Sequence, residues 1–151
     1  YDTLQRPYLE EGFAKAGGGK SLDDFSVCPG VSVIISDDVE SARMPVKMGL
    51  ALYIGGMGAR DKNFYNDYAK RMGFEEAAVK IQDLYLDGKR GEAVAAVPDE
   101  LVDAVHLVGS KDHIRDRLQA WKDAGAKRHV DTMLVGTNQP EALELLAEEI
   151  L

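Results

Sequence analysis

The sequence predicts an α/β fold, mostly helical, with two parallel strands. Three features predict it. The run VSVII (31–35) is apolar almost throughout, as in a strand covered on both faces. HVDTMLV (129–135) alternates apolar and polar residues with a period of two. Between them lie segments with apolar residues at helical spacing, and one of these ends just before the second strand.

In chain order, a first helix is expected over Pro7–Ala16, with Tyr8, Leu9 and Phe13 at helical spacing. Gly17-Gly18-Gly19 supplies a left-handed cap. The strand signal FSVCPGVSVIIS (25–36) follows. Pro29 has no N–H for a ladder, so Cys28-Pro29-Gly30 should form a bulge or a late strand start. Asp37 and Glu40 have capping-box spacing and should open a helix reaching about Tyr53, kinked by Pro45 and stopped by Gly55-Gly56.

A further helix is expected over about Lys62–Met72, closed by Gly73. Phe64, Tyr68 and Met72 recur every four residues and should face a core. FEEAAVKIQDLYLDG (74–88) puts Ala78, Ile81, Leu84 and Tyr85 on one face, with Gly88 beyond its end. A short helix near Gly91–Ala96 and another from Pro98 through Val105 complete the middle of the chain. Ser110 then caps KDHIRDRLQAWKDAG (111–125), whose stripe is Ile114, Leu118 and Trp121. After the second strand, Asn138 and Glu141 have capping-box spacing for a closing helix through Leu151.

Two strands joined by a helix imply a right-handed crossover. Two strands alone do not make a stable sheet. Either the piece dimerises or docks, or the remainder of a barrel lies elsewhere. The helix at 111–125 is the natural crossover, so residues 37–109 form a helical insertion after the first strand. In a β/α barrel, chain entering after a strand's C-terminal end lies on the catalytic face.

Composition narrows the partners. The 151 residues carry a formal charge of −8, which argues against binding a nucleic-acid backbone or an anionic membrane. The expected partner is a small-molecule substrate, and a homo-oligomer is compatible with the pattern. The single cysteine, Cys28, fits a reducing cytoplasm and reads as a small packed residue. His106, His113 and His129 lack metal-ligand spacing, so no metal is expected. No nucleophile elbow is present, and the residues alone name no general acid or base.

The most suggestive stretch is MGARDKNFYNDYAKRMGF (57–74). Arg60, Asn63 and Tyr65 stand at a helix start, where free N–H groups and the dipole favour an anion. Arg60 adds a forked donor suited to phosphate or carboxylate. The competing reading is local: Asp61 caps the helix, and Arg60 pairs with it or with another surface acid. GGMG (55–58) lacks the Lys-Ser/Thr ending of a phosphate loop and reads as a turn. GTNQPE (136–141) follows the second strand, where barrels often bind phosphate, but capping chemistry explains it.

GGMG-x-R-x-x-NFYN, the following RMGF, IQDLYL, AVPDELVD and LVG-x-x-x-x-IRDRL together resemble the late part of the luciferase-like monooxygenase superfamily. The nearest likeness is to the branch of oxidoreductases dependent on coenzyme F420, a deazaflavin. ISDDVESAR resembles that family's strand-to-helix entry. The resemblance implies a (β/α)8 TIM barrel of which residues 1–151 form the C-terminal portion, the two strands being the seventh and eighth. It implies hydride transfer between coenzyme F420 and an organic substrate, with activity absent from this portion alone. It carries over no catalytic residue, since the better-known ones belong to earlier strands. Arg60, Asn63 and Tyr65 are then the candidates for contact with the cofactor tail or substrate. The alternatives are a monooxygenase using FMN and oxygen, and a helical interaction module without chemistry.

Overall fold

The computed structural model describes residues 1–151. Its elements are α1 (Arg6–Ala16), β1 (Gly30–Ile35), α2 (Val39–Ala51), α3 (Phe64–Arg71), α4 (Glu75–Leu86), α5 (Arg90–Ala95), α6 (Asp99–Val105), β2 (Leu107–Gly109), α7 (Lys111–Ala126), β3 (Leu134–Gly136) and α8 (Pro140–Ile150). The fold is α/β and mostly helical, with parallel strands as expected, but there are three of them.

The strand order is β2-β1-β3. β3 pairs with the first half of β1, from Gly30↔Leu134 to Ser32↔Gly136. β2 pairs with the second half, from Val33↔Leu107 to Ile35↔Gly109. β2 lies in the helical insertion, between the helix expected through Val105 and the one expected from Lys111. Three residues hold no readable period, and only the non-local pairing with β1 makes them a strand.

β3 also starts later than the alternation suggested, at Leu134 rather than His129. The intervening residues do run beside Val27–Pro29: Val27 N donates to Asp131 Oδ2 at 2.8 Å, and Leu134 N donates to Pro29 O at 3.0 Å. Pro29 cannot donate in return, so the regular ladder begins at Gly30.

One face of the sheet is covered. Val31, Val33 and Leu107 pack with Ile114 and Leu118 of α7 and with Ala142, Leu145 and Leu146 of α8. The other face is covered only toward β2, where Ile34 and Val108 meet the helical core of α2, α4, α5 and α6. Toward β3 that face is open, and Leu134 is 54% exposed.

The insertion folds around its own core. Ala42, Val46, Ala51, Ile54, Ala69, Ala78, Ile81, Ala93, Leu101 and Val102 are buried together. Arg43 and Lys47 tie α2 to α6 through Asp99, and Arg43 also reaches Asp103 at 2.8 Å. The Lys47 ammonium, opposed by partial burial and aided by Arg43, holds the Asp99 carboxyl below the usual range. α2 ends in a π-helical turn over Leu52–Gly56. Its glycines are required there, because a Cβ on Gly55 or Gly56 would stand 2.5 or 2.4 Å from Tyr85 atoms.

Three expectations need correction here. α2 is capped by Asp38, which accepts from Ser41 N at 3.1 Å, rather than by Asp37. α8 has Gln139 at its N-cap with no side-chain cap, so the Asn138–Glu141 box does not form. On α3 the buried face is inverted: Asn66 and Ala69 are buried, while Phe64 is 70% exposed and Tyr68 half-buried. Met72 does pack against the core. The Ser110 cap is as expected, its Oγ accepting from His113 N at 3.2 Å.

Candidate functional site

The three strands are parallel, so their C-terminal ends open toward one end of the sheet. Ser36 and Asp37 follow β1, Ser110 and Lys111 follow β2, and Thr137 to Gln139 follow β3. A cavity of about 400 Å³ lies there, lined by Ile35, Ser36, Asp37, Ser110, Lys111, Asp112 and Glu141. The first turns of α7 and α8 both border it, which brings helix N–H groups to its rim.

Each wall has a local cause. Gly109 turns the chain at a φ of +146°, and a Cβ there would stand 2.9 Å from His113 Cδ2, so only glycine fits. That turn lets Ser110 cap α7 directly after β2. Ser36 Oγ accepts from Asp38 N at 3.1 Å, which fixes the exit of β1. Lys111 pairs with Glu141 at 3.3 Å. Asp112 pairs with Arg115 at 2.9 Å, so both cations beside the cavity are neutralised, and it suits hydroxyl and amide groups better than a bare anion. Sequence reading missed this cluster as a site: Ser36, Asp37 and Glu141 were legible as following a strand, but Ser110, Lys111 and Asp112 were not, because β2 was not expected.

The structure separates the α3 candidates from this cavity. α2 starts at the C-terminal end of β1, and its 13 residues carry the chain about 20 Å. Beyond it, Phe64, Tyr68 and Arg71 share a groove of about 770 Å³ with Cys28 and Pro29, which precede β1. Phe64, Tyr68 and Arg71 thus stand beside the segment that precedes β1, and Arg60, Asn63 and Tyr65 are not among the residues that line the strand-end cavity.

Asn63 is fully employed in the backbone. It is 2% exposed and is the N-cap of α3. Its Oδ1 accepts from Tyr65 N at 3.0 Å and Asn66 N at 3.1 Å. Its Nδ2 donates to Tyr53 O at 3.1 Å and Ile54 O at 2.9 Å. An amide has no further donor to offer. Arg60 is half-exposed and pairs with Asp83, with Asp87 at 3.9 Å, both at the far end of α4. Tyr65 lies on the surface, its ring edge-on to Tyr53 at 4.7 Å. The three side chains do not converge on one another's polar atoms.

His106 is mostly buried. Burial pushes its pKa below the ordinary value. Neutral, its Nδ1 accepts from Ser32 N at 3.2 Å, occupying the edge of β1 that β2 leaves free. No helix is long and apolar enough to cross a membrane.

The family described as Luciferase-like monooxygenase matches residues 4–128. A Mycobacterium tuberculosis protein named as a coenzyme F420-dependent oxidoreductase is 39% identical over 144 residues, covering 95% of this chain and 40% of the relative. The 5,10-methylenetetrahydromethanopterin reductase of Methanopyrus kandleri is 27% identical over 146 residues, covering 96% of this chain and 39% of the relative. The solved structure of the coenzyme F420-dependent tetrahydromethanopterin reductase from Methanopyrus kandleri superposes with a TM-score of 0.62 at 26% identity. It covers 95% of this chain and 39% of that one. The chain thus spans about 40% of the length of the curated relatives it matches.

Proposed function

This chain belongs to the luciferase-like monooxygenase family, and we propose that it is part of a coenzyme F420-dependent oxidoreductase. The observation that carries the reading is the 39% identity, along 95% of this chain, to a relative named as a coenzyme F420-dependent oxidoreductase. Two features of the fold support it. A parallel sheet open on half a face and unpaired along β3 calls for more strands and cover. The remaining strands of a (β/α)8 barrel would provide both, with residues 1–151 as its C-terminal portion. In such a barrel the chemistry lies at the C-terminal strand ends.

The chain's residues fit a polar part of the cofactor. Ser110, whose Oγ only accepts within the chain, offers a hydroxyl proton at the cavity, and the first turns of α7 and α8 offer N–H groups. Bound coenzyme F420 supplies the hydride chemistry. The residues of this chain bind and orient it at the strand ends. The substrate is a small organic molecule that exchanges a hydride with the cofactor.

The test is a titration of the full-length protein with F420 and with FMN, followed by the change in F420 absorbance on reduction. Saturable F420 binding with hydride transfer is expected. Tight FMN binding with no F420 binding overturns the cofactor assignment in favour of the monooxygenase reading.

A further inference from the structure

The ladder between β1 and β3 stops at Ser32↔Gly136. Beyond it, Ile35 still presents an N–H and a C=O toward the vacant side. Gln139 takes both: its Nε2 donates to Ile35 O at 2.9 Å, and its Oε1 accepts from Ile35 N at 2.7 Å. The side-chain amide thus stands where the peptide of a neighbouring strand would. The reversed amide would set oxygen against oxygen and N–H against N–H, so one orientation alone works. Gln139 is itself held by a bond from its N to Thr137 Oγ1 at 3.2 Å.

We propose that Gln139 is a positioning residue that finishes the β1 ladder and fixes the strand-end cavity for its ligand. Ile35, Ser36 and Asp37 are consecutive and line that cavity. Glu141, also in the lining, stands two residues beyond Gln139. Gln139 therefore joins the exit of β1 to the entry of α8 across the cavity floor. The role at the ligand rests on the reading that the strand ends face coenzyme F420, whereas the latch itself does not.

The test uses the full-length protein with Gln139→Leu and Gln139→Glu. Two readouts are needed, amide exchange at Ile35 and the kinetic constants for F420. In Gln139→Leu, Ile35 exchange should quicken about fivefold or more, as for loss of one hydrogen bond. The KM for F420 should rise while kcat changes little. Gln139→Glu gives the distinctive signature. Its carboxylate repels Ile35 O, but its protonated acid offers the same adjacent donor and acceptor as the amide. Ile35 protection should therefore return as pH falls toward the carboxyl range, about 4. That pH-dependent rescue reports the latch, and the KM for F420 reports the positioning, which a merely structural residue would leave unmoved. Unchanged Ile35 exchange in Gln139→Leu, or no pH dependence in Gln139→Glu, overturns the latch. Faster exchange with an unaltered KM overturns the positioning role. If the native protein binds no F420 at all, the functional reading fails, and Ile35 exchange still decides the latch.

Discussion

The insertion and the sheet bury comparable aliphatic side chains but close their cores differently. The insertion surrounds its core with α2, α4, α5 and α6 and seals it with amides. The sheet packs α7 and α8 on one face and leaves the β3 half of the other open. The difference teaches where each half gets its shape. In the insertion, side chains satisfy a backbone that departs from regular helix. Along β1, side chains substitute for strands that are not alongside: Gln139 on one edge and His106 on the other. Changes inside the insertion should therefore act on stability, and changes at the strand edges should act more locally.

Asn66 gives the largest expected effect. It is 1% exposed, and its Nδ2 donates to Ile54 O at 3.2 Å and Ala78 O at 2.7 Å. Asn66→Leu would take this donor from Ala78 O inside the core, while Ile54 O keeps its bond from Asn63 Nδ2 at 2.9 Å. One buried group that loses its donor costs about 1–3 kcal/mol, so the loss should be roughly 2 kcal/mol. Chemical denaturation of the full-length protein measures it. A loss below about 1 kcal/mol would show that the amides are not what seals the π-helical turn.

How much of this was legible follows from the range of each signal. α4, α7 and the Ser110 cap were readable because periodicity and capping are local in sequence. The inverted face of α3 was not. Its buried amides answer carbonyls of Tyr53, Ile54 and Ala78, and nothing in Phe64-Tyr65-Asn66 announces them. Asn63 did carry a signal, since asparagine is a preferred N-cap, but Arg60 and Tyr65 beside it suggested a ligand instead. At the strand ends, Ser110 was legible as a cap while its place in a cavity was not. That place depends on β2, which exists only through its pairing with β1.

His106 is the intermediate case, and its sign can be worked out. Burial lowers its folded pKa below the ordinary value of about 6.5, so the folded state favours the neutral ring. Its contribution is present above about pH 6.5 and is lost as pH falls through the lower, folded value. Protonation also puts an N–H where Ser32 N donates, removing a bond worth on the order of 1 kcal/mol. His106→Asn keeps an acceptor at that distance without titrating. Melting temperatures from pH 7.5 downward should fall more steeply in the native protein than in the variant from about pH 6.5. Parallel curves would remove His106 from the pH response.

The smallest effects should come from α3 and its entry, where the sequence suggested a core face and a ligand contact. Phe64 reads as core by spacing, and truncating a core phenylalanine costs about 3–5 kcal/mol. On α3 it is 70% exposed, with Tyr65 and Tyr68 as its ring neighbours. Phe64→Ala should therefore cost under about 1 kcal/mol. Arg60→Ala removes exposed ion pairs to Asp83 and Asp87, which stabilise by about 0–1 kcal/mol. Because Arg60 pairs within the insertion rather than at the strand ends, F420 affinity should change less than twofold, or about 0.4 kcal/mol. A tenfold loss of F420 affinity in Arg60→Ala, with the melting temperature held, would return the α3 entry to the cofactor site. It would also mean that Asp83 and Asp87 release the guanidinium when the cofactor binds.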